Sequence, residues 1–164
     1  MAKISQELND ILNKQIGLEI YNSNVYRQIS ALFDDKKLVN VSKFFKDWSA
    51  EEIGHANIFQ DFLESRVGSK VNVPSIQGLD GLNISSINDI GELVMRLEAQ
   101  TTDDITKIYN LSEDLGDLMG KTLALKMITE QIEEENKSDF INQQLTMVTD
   151  YILWDANFKS PYGG

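Results

Sequence analysis

The spacing of apolar residues most constrains how this chain can fold. Four long stretches place apolar or inward-type residues alternately three and four positions apart, which is the period of helices that pack along one seam. Proline occurs only at positions 74 and 161, so it interrupts none of these stretches. The pattern predicts an all-α four-helix bundle. Its predicted seams run from Leu8 to Phe33, Val41 to Phe62, Ile87 to Leu115 and Leu123 to Val148.

Two kinds of connection join the four stretches. Short breaks at residues 34–38 and 113–117 predict tight turns, and therefore two antiparallel hairpins. Residues 68–86 have no helical period and are rich in Gly, Ser and Asn, so they predict a long loop between helices 2 and 3 that is either a crossover or a functional segment. Residues 151–158 predict a short fifth helix. The length of 164 residues suits a single domain over residues 1–164.

Composition excludes several classes of function. The chain has no cysteine, which excludes disulfides, zinc ribbons, iron–sulfur ligation and thiol catalysis. The net charge of −11 disfavours nucleic acid and anionic membranes as partners. No leader-like start and no membrane-spanning apolar run is visible. These features predict a cytoplasmic protein.

Carboxylates interrupt the apolar register near the middle of every seam. Glu19 and Glu52 are equally far from the first predicted turn, so an antiparallel hairpin brings them opposite each other. Glu98 and Glu130 are likewise equidistant from the second turn. We therefore expect all four helices to bring acid to one level of the bundle. The inward positions at this level are those of Glu19, Glu52, His55, Glu98, Glu130 and Glu134.

Several buried carboxylates at one level would repel one another and lose hydration, so they need a compensating positive charge. Lys137 lies on the inward register, but one ammonium group cannot offset the whole cluster. A pair of divalent ions can, and carboxylates with a single imidazole suit iron or manganese better than structural zinc. Glu52 and His55, three positions apart, share one helix face. The pattern predicts a dinuclear metal centre inside the bundle.

Each of these features has a plainer interpretation when taken alone. A single E-x-x-H motif arises by chance in Glu-rich helices, and a lone core histidine such as His55 is more often just hydrogen-bonded. Residues 133–135 would ordinarily be a solvated acidic run, and Tyr26 and Trp48 would ordinarily be packing residues. The shared level and shared inward direction of the acids favour the metal interpretation.

Three ordered motifs carry a resemblance to a known family. LNKQIGLEIYNSNVY, FFKDWSAEEIGHA and ITEQIEEE resemble the first-, second- and fourth-helix signatures of the non-haem bacterial ferritins. The resemblance covers nearly the whole chain, including YILWDANF at the short fifth helix. It implies a ferritin-like four-helix bundle with one long crossover between helices 2 and 3, assembled as a hollow cage of 24 copies around a ferric mineral.

The resemblance also implies a di-iron centre and roles for its residues. Glu52 would bridge the two ions, and Gln131 and Tyr26 would be hydrogen-bonding neighbours, with Tyr26 also a candidate one-electron donor. The implied iron ligands are Glu19, Glu52 and His55 for the first ion and Glu52, Glu98 and Glu134 for the second. Some members have a third iron site. Its implied ligands here are Glu51, Glu130 and Glu133, with Glu134 shared.

The implied activity is that of a ferroxidase, which oxidises Fe(II) with O2 or H2O2 and passes Fe(III) to the mineral. Hard carboxylate ligands stabilise Fe(III) over Fe(II), which favours this reaction. The alternative is a soluble di-iron oxidase or peroxidase of the same superfamily without mineral storage. A structural bundle with a vestigial centre is a third interpretation, but it predicts missing ligands.

Some positions depart from related patterns. Haem is not expected, because Ile53 stands where bacterioferritin has its haem-binding methionine. Helix 4 lacks a second E-x-x-H motif. Lys126 stands where some bacterial ferritins have a tryptophan, and Lys137 is an unusual residue on the inward register one turn past the expected ligands.

Overall fold

The computed structural model describes residues 3–162 and places five α-helices in them. The four long helices and the short fifth one confirm the predicted all-α bundle. A 3₁₀ turn, Ile87–Asp89, directly precedes the third helix. The helices are α1 (Gln6–Asp35), α2 (Val39–Glu64), α3 (Ile90–Asp114), α4 (Leu118–Met147) and α5 (Tyr151–Ala156).

Side-chain caps begin three of the helices. Oxygens of Ser5, Asp117 and Asp150 accept hydrogen bonds from the backbone N–H three residues further on, at 3.1, 2.8 and 2.9 Å. Each bond satisfies a donor that has no partner within its helix. Ser86 accepts a hydrogen bond from the N–H of Asn88 at 3.3 Å and so caps the 3₁₀ turn.

The first two helices form an antiparallel hairpin. Ser23 is hydrogen-bonded to Ser49, and Ser30 is hydrogen-bonded to Ser42. Residue numbers therefore increase along α1 in the direction in which they decrease along α2, so the two helices are antiparallel. The short turns of the two hairpins each contain a residue in the left-handed region, Lys37 at φ 63° and Gly116 at φ 66°. Glycine adopts this conformation without steric cost, and the α3–α4 turn uses it in that way.

The long crossover lies against α1. Asn13 donates to the carbonyl of Lys70 at 2.9 Å, and Asn9 accepts from the N–H of Lys70 at 2.9 Å. Pro74 packs on Gly17 so closely that an added Cβ would lie 2.6 Å from the proline ring. Glycine at this position therefore permits the close approach that fixes the crossover on the bundle.

Two apolar cores occupy the two ends of the bundle, and a polar layer separates them. The α5-side core is built around Tyr26, Phe33, Phe45, Trp48 and Ile141. The core at the opposite end of the bundle is built around Leu8, Leu12, Phe59, Ile108 and Met127. Packing on both sides removes water from the polar layer, so charges there interact in a medium of low effective dielectric.

The predicted register of helix 4 is wrong at Glu130. That residue is exposed, and its neighbour Gln131 is buried. From Met127 to Glu134 the inward positions can advance by three and then four residues, or by four and then three. In the structure the buried positions are Met127, Gln131 and Glu134, an advance of four and then three residues. Hydropathy could not distinguish Glu130 from Gln131 because both are polar.

In residues 3–162, no helix combines the length and apolar character that crossing a membrane requires.

Candidate metal centre

Each of the four long helices contributes one buried carboxylate to the polar layer. Glu19 lies on α1, Glu52 on α2, Glu98 on α3 and Glu134 on α4, and none is more than 4% exposed. His55 follows Glu52 by one helical turn and is 8% exposed. The structure therefore brings these five predicted residues together between the two apolar cores, where they are shielded from solvent.

Glu19, Glu52 and His55 form the first cluster of ligand-type atoms. One oxygen or nitrogen from each lies within 4.8 Å of the others. Three buried atoms here have no hydrogen-bond partner, namely Glu19 Oε2, Glu52 Oε1 and His55 Nδ1. Buried polar atoms without partners are costly. Two carboxylates and one imidazole with ligand atoms at this spacing have the donor chemistry to hold a divalent cation, so the residues fit a metal ion.

Glu52, Glu98 and Glu134 form the second cluster, again with ligand atoms within 4.8 Å of one another. Glu52 belongs to both clusters. A carboxylate has two oxygens, so one glutamate at this place can contact two ions at once. The arrangement has the donor set for a pair of adjacent metal ions, with oxygen ligands in the majority and a single imidazole.

Neutral donors hold the carboxylates of the second cluster. The Tyr26 hydroxyl donates to Glu98 Oε1, and Gln131 Nε2 donates to Glu98 Oε2 at 3.1 Å. Trp48 Nε1 donates to Glu134 Oε2 at 2.6 Å. Tyr26 and Trp48 also stack on each other, with ring centroids 4.3 Å apart. These contacts fix the positions of both carboxylates before any ligand arrives.

The electrostatic environment raises the pKa of every carboxyl group in the layer. Burial is the largest cause for all four groups, and it raises the pKa of Glu98 to about 7. Repulsion from Glu52 adds to the rise for Glu19, and repulsion from Glu98 adds to it for Glu52. The pKa of Glu134 is raised as well. Without a cation the layer favours protonated carboxyl groups, and a bound metal ion would displace those protons.

Lys137 is fully buried beside the second cluster. Its Nζ pairs with Glu51 Oε2, lies 3.4 Å from Glu134 Oε1 and sits 4.9 Å from the centroid of the Trp48 ring. Burial alone would lower the pKa of Lys137, but attraction to Glu134 and the hydrogen bond to Glu51 outweigh it, so the pKa is raised. The side chain is therefore a charged ammonium inside the bundle and does not turn out to solvent.

Apart from the shared Glu134, the residues implied for a third iron site join neither cluster. Glu130 and Glu133 are exposed on α4. Glu51 has a side chain 34% exposed, and its carboxylate is paired with Lys137. Their role as iron ligands stays a prediction, and the structure gives Glu51 a different partner.

Two residues at the centre were not predicted from the sequence. Gln15 Nε2 donates to Glu19 Oε1 at 2.8 Å, and Trp48, taken as a packing residue, donates to Glu134. Gln15 was recognisable in principle, because it precedes Glu19 by four positions on one helix face. A buried indole N–H also needs an acceptor. The sequence did not show which residue would supply it.

Comparison with known proteins gives a consistent result. The ferritin-like domain family matches residues 9–148. Ferritin-1, chloroplastic, of Brassica napus is 28% identical over 150 residues, which are 87% of this chain and 59% of that protein. Ferritin BfrB of Mycolicibacterium smegmatis is 26% identical over 131 residues, which are 80% of this chain and 71% of that protein. The chain spans 59% and 63% of the length of two plant ferritins that it matches.

Solved structures show the same architecture. The open pore ferritin from the hyperthermophilic archaeon Archaeoglobus fulgidus superposes with a TM-score of 0.88 at 25% identity. The superposition covers 95% of this chain and 96% of that one.

Proposed function

Because this chain belongs to the ferritin-like domain family, we propose that it oxidises Fe(II) in the buried carboxylate layer and stores the ferric product. The observation that carries the proposal is the pair of ligand clusters that share Glu52. Iron is the substrate and cargo in this proposal, and not a permanent cofactor. The first Fe(II) would be held by Glu19, Glu52 and His55, and the second by Glu52, Glu98 and Glu134.

The ligand set supports oxidation of the bound iron. Anionic oxygen donors stabilise Fe(III) more than Fe(II), so they lower the reduction potential and favour electron transfer to O2 or H2O2. Two Fe(II) ions supply two electrons, enough to reduce O2 to H2O2 or H2O2 to water. The protons for either reduction are available, because loading iron displaces protons from carboxyl groups with raised pKa values.

The surrounding side chains have a positioning function in this proposal. Tyr26 and Gln131 hold the two oxygens of Glu98, and Trp48 holds one oxygen of Glu134. Such outer contacts orient metal ligands and tune their basicity. The apolar cores on both sides exclude bulk water, which strengthens the electrostatic contribution of each ligand.

Storage of a mineral requires assembly. We propose that the chain assembles into the cage of 24 copies that its resemblance to the non-haem bacterial ferritins implies. Large apolar side chains remain exposed on the outside of the single chain, and an assembly would cover them. Examples are Leu118 and Ile132 on α4 and Ile152 on α5, at 75%, 63% and 78% exposure.

Anaerobic Fe(II) titration followed by air tests the proposal. We expect about two Fe(II) ions bound per chain before oxidation, then ferric absorbance that continues to grow as iron is added in excess. Size-exclusion chromatography should give a particle far larger than the 18.6 kDa chain. Rapid oxidation without core growth, by a monomer or dimer, would instead identify an oxidase without storage. Slow oxidation equal to that of iron in buffer would contradict both.

A further inference from the structure

We propose that Lys137 is a tethered internal cation that competes with the second metal ion for Glu134 and makes the two metal positions unequal. This inference rests on the proposed function, because it assumes that divalent ions bind both ligand clusters. It adds a residue that determines how strongly the second position binds metal.

The two clusters differ in how their atoms are satisfied before metal arrives. In the first cluster, Glu19 Oε1 accepts from Gln15 at 2.8 Å, but Glu19 Oε2 and His55 Nδ1 are buried without a hydrogen-bond partner, as is Glu52 Oε1, which both clusters share. In the second cluster, both oxygens of Glu98 and both oxygens of Glu134 already accept hydrogen bonds. The first cluster therefore has more unpaired ligand atoms available for a cation than the second, in which every oxygen of Glu98 and Glu134 already accepts from a protein donor.

Only one of those donors carries a positive charge. Tyr26, Gln131 and Trp48 are neutral and can stay in place when metal binds, because each carboxylate oxygen has more than one lone pair. Lys137 Nζ lies 3.4 Å from Glu134 Oε1, and its ammonium would repel a divalent ion on the same carboxylate. Lys137 therefore opposes the second ion through charge as well as through hydrogen bonding.

A second acceptor lets Lys137 release Glu134 without leaving the interior of the bundle. The ammonium also pairs with Glu51, whose side chain is 34% exposed and belongs to neither ligand cluster. When metal takes Glu134, Lys137 can stay charged against Glu51 and over the Trp48 ring. This arrangement favours reversible occupation of the second position, as an oxidation site that must release its product requires.

The test is calorimetric titration of the metal-free protein with Zn(II), a redox-inert probe, at neutral pH. We expect the wild type to bind one ion tightly and a second more weakly. Lys137→Met keeps an unbranched side chain on Trp48 but removes the charge, and should strengthen the weaker step at least about tenfold. Lys137→Arg retains the charge and should leave that step close to wild type. Lys126→Met, an exposed lysine on the same helix, is the matched control and should change neither step.

Glu51→Gln should change the weaker step in the opposite direction. Without the Glu51 carboxylate, Lys137 has only Glu134 as an anionic partner among its contacts, so the second ion should bind at least about threefold more weakly. Because Glu51 reaches the surface, this variant provides a test even if Lys137→Met fails to fold. Zinc anomalous scattering from crystals of both variants would show whether the changed step is the position at Glu134.

Several outcomes would overturn the inference. It fails if Lys137→Met leaves the weaker step within about twofold of wild type, or if Lys126→Met produces the same gain. It also fails if Glu51→Gln strengthens the second step. Two ions bound by the wild type with no effect of these variants would reject the role of Lys137 alone. No zinc in the layer of the wild-type protein would reject the proposed function as well.

Discussion

Two buried ionic regions of this bundle balance their charges in different ways. Just beyond the end of α2, Arg66 pairs with Asp117 through two parallel hydrogen bonds of 3.0 and 2.7 Å, one cation with one anion. In the middle of the bundle, four carboxylates face one lysine and one histidine. The end pair balances its own charge, whereas ionising all four carboxyl groups of the central layer would leave an excess of negative charge.

The pKa shifts of the two regions have opposite directions. The Arg66 hydrogen bond lowers the pKa of Asp117, whereas burial raises the pKa of Glu98 to about 7. A lowered pKa means that the fold stabilises the carboxylate anion, and a raised one means that it disfavours the anion. The comparison teaches that Arg66 and Asp117 serve stability, while the central layer is incomplete without an added cation.

Removing the cation of the balanced pair should have the largest effect on stability. Arg66→Met leaves Asp117 without its partner at a partly buried site, so we expect the free energy of unfolding to fall by about 3 kcal/mol. Urea denaturation of the metal-free protein measures this. Lys43→Met, which breaks an exposed pair with Asp47, is the control and should leave the midpoint unchanged.

Removing the shared carboxylate of the central layer should instead abolish rapid iron oxidation. Glu52→Ala takes one ligand from both clusters, and we expect the initial rate to fall at least about 100-fold. Stopped-flow ferric absorbance measures the rate. Glu64→Ala, at an exposed position on the same helix, is the control. A Glu52→Ala rate within a few-fold of wild type would show that oxidation does not occur in the layer.

The pH dependence of metal-free stability should have opposite signs in the two regions. Between about pH 4.5 and 7 the folded chain retains a proton on Glu98 that the unfolded chain has lost. The free energy of unfolding should therefore fall by about 2 kcal/mol as pH rises through this window. Saturating Zn(II) should remove much of that decline.

Asp117 contributes below this window. Its folded pKa is lowered, so its contribution is present above the unfolded value near 3.8 and is lost as pH falls through the folded value. Thermal unfolding of the metal-free protein should thus show a maximum between these two regimes. Stability that rises steadily from pH 5 to 8 without metal would contradict the assignment of raised pKa values to the layer.

Neutralising one carboxylate of the layer should give the smallest effect, with an informative sign. Glu19→Gln retains an acceptor for Gln15, and unlike Glu19 it does not have to take up a proton on folding at pH 7, so the metal-free protein should gain about 1 kcal/mol. The same variant should gain less stability than wild type from added Zn(II), because the first cluster has lost a ligand. Asp117→Asn is the matched comparison and should destabilise the protein.

Most of the architecture was predictable because it depends on local periodicity. The seams of α1, α2 and α3 follow apolar residues at helical spacing, and the equal distance of Glu19 and Glu52 from one turn locates them at one level. The structure confirms the predicted bundle, crossover and fifth helix.

The remaining features depend on contacts between residues far apart in sequence. The choice between Glu130 and Gln131 on α4 depends on how that helix rotates against α3, which hydropathy does not report for two polar neighbours. Trp48 contacts Glu134, and Lys137 contacts Glu51, each across 86 positions of sequence, so these partners could not be identified from spacing alone.

Anomalous diffraction from crystals of the wild-type protein soaked anaerobically in Fe(II) tests most directly whether metal completes the central layer. The prediction is two iron peaks inside the bundle, one beside Glu19 and His55, one beside Glu98 and Glu134, with Glu52 contacting both. An iron-free layer, with iron only at exposed carboxylates such as Glu130 and Glu133, would contradict the account.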